Sequence, residues 1–155
     1  MTDVQTILAT FFLAMVPVTE LRVSIPLAIG AWGMQPWLAL AVSFLGNLVP
    51  MVAILYGFDW LQRTLSQRSR LFAEFFSKLF ERTRRKFDAK YQTYGMLALC
   101  IFVAIPLPAT GIWTGSLAAW LFGLKKGPSM LYIGLGGFIA AGIVTAATVG
   151  IRAAV

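Results

Sequence analysis

Histidine is absent from this 155-residue chain, cysteine occurs once, and charged residues make up only 12% of it. Without histidine the chain lacks the commonest transition-metal ligand and the side chain that ordinarily titrates near neutral pH. With Cys100 alone, no internal disulfide can form. A soluble domain keeps about 25% charge, so this composition excludes an ordinary soluble protein. Also missing are CxxC, the P-loop, HExxH, GxSxG and any cluster of carboxylates. No metal or other cofactor is expected, and the chain is not expected to be an enzyme; a phosphatase-like membrane activity is the one enzymatic alternative left open. The opening "MTDVQ" is acidic rather than basic, unlike the start of a secretory signal peptide.

What is present is apolar. Hydrophobic residues make up 59%, with a mean hydropathy of +0.79. That predicts one integral membrane domain. The net charge is +7, unevenly placed: of 13 lysines and arginines, nine lie from Arg63 to Lys90 and two are Lys125 and Lys126. Such a balance can mean nucleic acid. Here it reads instead as cytoplasmic loops beside anionic lipid, so the expected partners are membrane lipids and not nucleic acid.

Five blocks follow in order. Residues 4–33 are apolar but broken at Pro17 and Pro26. Residues 36–57 form an apolar run interrupted only by Asn47 and Pro50. Residues 58–93 are charged, with apolar residues at near-helical spacing, which predicts a basic amphipathic helix on the cytoplasmic leaflet. Residues 94–124 are apolar but broken by Pro106, Pro108 and Gly111. Residues 127–152 are apolar and rich in glycine and alanine.

The first and fourth blocks can be laid over one another. "AMVPVTELRVSIPLAIGAWGM" matches "VAIPLPATGIWTGSLAAWLFGL" in layout, with Pro17 on Pro106 and, after one inserted residue, Trp32–Gly33 on Phe122–Gly123. Paired interrupted segments point to inverted repeats with a binding site at the breaks. If all four apolar blocks crossed the membrane once, the Arg63–Lys90 stretch and Lys125–Lys126 would face opposite sides, against the positive-inside rule. If the broken blocks are re-entrant hairpins, both fall on one side. Each half of a broken block is roughly 20 Å long as helix, short of a hydrocarbon core about 30 Å thick. The hairpin tips then need protein or a wet cavity to cover their backbone, so they are expected to meet one another or a partner subunit.

The candidate site is therefore the pair of tips. Glu20 and Arg22 lie in the first; Thr110, Trp113 and Thr114 lie in the second, with Gly111 and Gly115 allowing close approach; Asn47 and Pro50 sit nearby in the first spanning helix. Glu20 is the only carboxyl inside an apolar block, and an intramembrane charge is a functional candidate by default. It is the expected proton carrier, and Arg22 the expected anion holder, suited to bidentate hydrogen bonds with a phosphate. The plainer alternative keeps the two charges as a lock between hairpins. Thr110 and Thr114 serve equally well as partners for freed backbone carbonyls, Trp113 as a packing residue, and Asn47 as a bridge between helices.

Three stretches, "ELRVSIP" at 20–26, "GNLVP" at 46–50 and "FVAIPLPATGIWTG" at 102–115, together resemble the family of small multi-drug export proteins of prokaryotic membranes. That family is similar to the DedA superfamily, whose members carry two re-entrant hairpins with membrane-embedded acidic and arginine residues; some are implicated in proton-linked movement of polyprenyl phosphate carriers. The resemblance implies an inner-membrane location, and it matches Glu20 to the acidic position and Arg22 to the basic one. The second hairpin departs from the DedA pattern, because no charged residue stands there.

The expected fold is thus all-α: two inverted repeats, each a re-entrant hairpin plus a transmembrane helix, joined by the cytoplasmic segment. A homodimer is expected from the small size and from "GLGGFIAAG" at 134–142. The expected function is proton-coupled transport of an anionic amphiphile such as a lipid phosphate. The alternatives are export of small lipophilic cations and a structural role without transport.

Overall fold

A computed structural model describes residues 3–68, 74, 77–78, 89–107 and 110–154, with backbone alone over 89–93. All its regular elements are helical. Helix α1 (Val4–Met15) stops before Pro17, which offers no N–H and pushes Val16 into an extended conformation at ψ 135°. Helix α2 (Glu20–Gly30) follows after a short turn, and α3 (Pro36–Val52) opens on a proline at its first position, where no N–H is needed. A π-helical turn (Ala53–Gly57) carries α3 into α4 (Phe58–Arg68). Helix α5 (Ala89–Ala104) stops short of Pro106; α6 (Ile112–Leu121) and α7 (Lys126–Ala154) complete the order.

Three boundaries differ from the sequence expectation. Pro26 is not a break: it lies inside α2, whose neighbouring turns hold the helix together around the missing N–H. Residues 58–68 do not start a separate surface helix, since Pro36–Arg68 is one continuous helix of 33 residues. Helix α5 is already helical at Ala89, inside the basic segment and ahead of 94. Pro108 and most of the stretch from 69 to 88, including the bulk of the expected amphipathic helix, lie outside the described residues.

Helices α1 and α2 pack on α3, and α5 and α6 pack on α7; α7 also packs on α2 and α3. The registers correspond. A Cβ on Gly46 of α3 would sit 2.4 Å from the Phe11 carbonyl oxygen and 3.0 Å from Ala14 Cβ; a Cβ on Gly136 of α7 would sit 2.5 Å from the Cys100 carbonyl oxygen and 3.0 Å from Val103 Cβ. Only glycine allows the backbones this close. Helices α2 and α6 end alike, on Gly33 at φ 63° and Gly123 at φ 68°. The next residue then donates back into the helix: Met34 to the Ala28 carbonyl at 2.9 Å, Leu124 to the Ala119 carbonyl at 3.0 Å.

A mainly apolar core holds a few buried polar side chains, and the outside is apolar too. Thr10, Ser24, Ser43, Asn47 and Ser116 are completely buried, whereas Val4, Val18, Trp37, Leu131 and Ile151 are largely exposed. Ser24 and Ser43 satisfy each other at 2.9 Å across α2 and α3. So many large apolar side chains on the outside are what lipid, rather than water, permits. Pro36–Arg68 and Lys126–Ala154 are long and apolar enough to cross a membrane by length and composition.

Two polar contacts mark the ends of the bundle. At one end, Arg152 Nη1 donates to the Ile29 carbonyl at 2.7 Å, pinning the end of α2 to the end of α7. At the other, Lys126 Nζ lies 2.5 Å from Asp59 Oδ2, Trp120 Nε1 donates to Asp59 Oδ1 at 3.0 Å, and Lys126 stands over the Tyr56 ring. Thermal unfolding in detergent should show Asp59→Asn less stable than wild type at neutral pH, because the ion pair with Lys126 is lost.

Candidate functional site

The two breaks meet. Glu20 opens α2 with φ 40°, a left-handed backbone rare for a residue with a side chain. Its carboxylate is almost completely buried and is carried across to the N-terminus of α6. There Oε1 accepts from the Trp113 N–H at 3.3 Å. A negative group at a helix N-terminus meets unsatisfied N–H groups and the positive end of the helix dipole. Gly111, the residue before α6, makes room for it: a Cβ there would fall 1.8 Å from Glu20 Oε2. Gly111→Ala should therefore separate the breaks. We expect a thermal stability loss of about 1–3 kcal/mol, typical of forced overpacking, measured by unfolding in detergent. Gly127→Ala, placed where a Cβ meets nothing, serves as control.

Arg22, one turn into α2, does not turn back to Glu20. Its Nη2 donates to the Thr110 carbonyl and to Thr110 Oγ1, the latter at 3.0 Å. Thr110 is itself committed to the second break. Its hydroxyl accepts from the Leu107 N–H at 3.1 Å and has the carbonyls of Ile105 and Leu107 within 2.7 Å to donate to. Trp113 completes the exchange, donating from Nε1 to the Met15 carbonyl at the end of α1, at 2.9 Å. Each break thus satisfies polar groups that the other leaves open, as buried backbone requires.

Asn47 works within the first break. With its amide turned to suit both partners, the nitrogen donates to the Ala14 carbonyl and the oxygen accepts from the Leu21 N–H, each at 3.0 Å. These are groups that Pro17 frees at the end of α1 and the start of α2. Asn47 is fully buried, so it bridges helices and does not reach the cleft. Thr114 does reach it: a cleft of about 500 Å³ is lined by Pro17, Val18, Glu20, Arg22, Gly111 and Thr114, with Pro106 at its edge. Gly115 instead faces α5, where a Cβ would meet Val103 Cγ2 at 2.5 Å. The site residues expected from sequence therefore separate into cleft-lining groups (Glu20, Arg22, Gly111, Thr114), junction groups (Thr110, Trp113) and scaffold (Asn47, Gly115).

Pro26, though not a break, has a place in this arrangement. Lacking an N–H, it leaves the carbonyl of Arg22, four residues earlier, without its helical partner. It also lines a second cleft, of about 430 Å³, on the far side of Arg22. Sequence reasoning missed this second cleft, the Ser24–Ser43 bond and the inward reach of Arg152. The missed signal was the isolated Arg152 at the end of an otherwise uncharged run.

Among the described residues, no group of three or more potential metal ligands is present. The chemistry the cleft offers is one carboxyl able to gain or lose a proton, one fixed cation with further N–H donors, and a hydroxyl, all against apolar walls.

Comparison with curated proteins and with solved structures gave no match. Residues 20–143, four fifths of the chain, match the family model described as "Putative small multi-drug export protein". The match begins at Glu20, just after the first break, and takes in the second break and most of α7. The family and the two membrane-length apolar helices agree with a membrane protein. By that match, which includes Glu20, Arg22, Thr110 and Trp113, the chain belongs to the small multi-drug export protein family.

Proposed function

We propose that the protein is a proton-coupled membrane transporter for an anionic amphiphile such as a lipid phosphate, worked at the junction of the two breaks. One observation carries this reading: Glu20 and Arg22, the charges of the first break, are bonded to the second break at the edge of a cleft. A junction held by an ionisable group opens when that group changes charge. Protonating Glu20 removes the negative charge that the α6 N-terminus attracts and loosens the hold on Trp113. Arg22 then exchanges the oxygens of Thr110 for those of an anionic head group, which suits the planar guanidinium.

The membrane arrangement belongs to the same proposal. Helices α1, α2 and α6 have 12, 11 and 10 residues, about 15–18 Å of rise against about 30 Å of hydrocarbon. They are read as re-entrant. The shared glycine registers and matching C-terminal turns support two repeats, inverted with respect to one another. Trp37 and Trp60 are strongly exposed on the Pro36–Arg68 helix, about 35 Å apart by helical rise, a spacing that suits the two interfaces where tryptophans are enriched. The Asp59–Lys126 end is read as cytoplasmic, on a prokaryotic inner membrane, because the basic residues gather there. A homodimer and a relation to the DedA superfamily are part of this reading and rest on the sequence alone.

Topology can be checked in a Cys100→Ala background. Ser66→Cys and Lys125→Cys should both be labelled by an impermeant maleimide from one and the same side; labelling from opposite sides contradicts re-entrant hairpins. Function is tested with purified protein in liposomes holding a pH-sensitive dye. Adding a lipid phosphate outside should change the internal pH with wild type. No change, or one that survives Glu20→Gln, overturns proton coupling through this site.

A further inference from the structure

Arg22 separates two clefts, and only one of them contains Glu20. The other is walled by Pro26 of α2, Pro106 of the second break and the C-terminal part of α7, from Ile143 to Ile151. It runs on into a third cleft of about 480 Å³, with which it shares Thr148 and Ile151 and which ends at Arg152. Together they form one groove along α7, with an arginine at each end. Among the described residues, no aspartate or glutamate lines either part. From Ile143, which lines the same cleft as Arg22, to Arg152 is about 14 Å along the helix.

Both arginines keep donors in reserve. A guanidinium has five N–H groups. Arg152 places Nη1 on the Ile29 carbonyl, and Arg22 places Nη2 on Thr110. Between them the walls are Pro26, Val144 and Ala147, plus Thr148, whose hydroxyl already donates to the Val144 carbonyl at 2.7 Å. Among the described residues, no other charged side chain stands between them. The outer rim, Ile143 and Ile151, is open, which leaves room for an acyl chain to stay outside.

We propose that this groove is the path of the head group. A phosphate monoester on a membrane amphiphile enters at Arg152, passes along α7 and arrives at Arg22, while its tails remain in the bilayer. The path rests on the transport reading above and deepens it by naming the entry route. It selects by charge: a groove with two fixed cations and no acid attracts an anion and repels a lipophilic cation.

The test is native mass spectrometry of the whole protein in non-ionic detergent, titrated with phosphatidic acid, phosphatidylcholine or an alkyltrimethylammonium. Phosphatidic acid should be retained at least about tenfold better than the other two, because its phosphate monoester suits charge-assisted hydrogen bonds from both guanidinium groups, and inorganic phosphate should not compete. Ala147→Glu should remove this preference. Ala147→Gln, the same size without the charge, should keep it and shows that the fold tolerates the side chain. Equal retention of the three amphiphiles, displacement by inorganic phosphate, a silent Ala147→Glu, or an equal loss in both variants overturns the groove. The two proposals can fail separately. Selective adducts with no lipid-phosphate flux leave the groove and end the transport reading. Flux that needs Glu20 but is untouched by Ala147→Glu does the reverse.

Discussion

Glu20→Gln should reduce proton-linked flux to the level of protein-free liposomes while leaving the helical content unchanged. Glutamine has the same shape and its amide oxygen can still accept from the Trp113 N–H, so the junction still closes. What it lacks is the ability to exchange a proton and the negative charge at the start of α6. Losing that charge should cost about 1 kcal/mol of stability, within the range for an anion at a helix N-terminus. Far-UV circular dichroism and thermal unfolding in detergent report the second effect, and liposome flux the first. A large fall in stability with proportionate residual flux would instead make Glu20 a lock and nothing more. The buried position of the carboxylate, only 4% exposed, is why the two outcomes differ: a surface carboxylate would show neither.

The largest loss of stability is expected at Asn47. Asn47→Leu has nearly the same volume and suits an apolar helix, so a reading by hydrophobicity alone would predict a gain. The structure predicts the opposite. The Ala14 carbonyl and the Leu21 N–H would both lose their partner, and each buried group left unsatisfied costs about 1–3 kcal/mol. A loss of about 3 kcal/mol or more is expected, read as a lower thermal midpoint and a lower yield of monodisperse protein. Val49→Leu, on the exposed side of the same helix, should change stability by less than about 0.5 kcal/mol. If both variants unfold together with wild type, Asn47 is not what closes the first break.

Much of this arrangement was legible in the sequence, for physical reasons. Proline cannot continue a helix without loss, so Pro17 and Pro106 mark two real interruptions. An isolated Glu20 and Arg22 in an apolar run demand partners, and the second break was the place with groups to spare. Pro26 was misread as a break because a proline inside a helix leaves the same sequence signature as one that ends it. Which occurs depends on the packing of the neighbouring turns, which one sequence does not display. Asn47 was grouped with the cleft because a buried amide fits a ligand as well as it fits backbone. Only the position of Ala14 and Leu21 on either side of it decides. The groove along α7 was invisible because Arg152 lies far from Arg22 in sequence, and only the packing of α2 on α7 puts both on one path.

The central claim is that Arg22 holds an anion at the junction and is not merely tied to Thr110. The measurement that addresses it most directly is flux in liposomes of a lipid phosphate and of a lipophilic cation, comparing wild type with Arg22→Ala and Arg22→Lys. The account predicts lipid-phosphate flux in wild type, none in Arg22→Ala and partial recovery in Arg22→Lys, where the charge returns without the planar fork. Cation flux that persists in Arg22→Ala and disappears in Glu20→Gln would contradict it, leaving Glu20 as the carrier and Arg22 as a bolt between the two breaks.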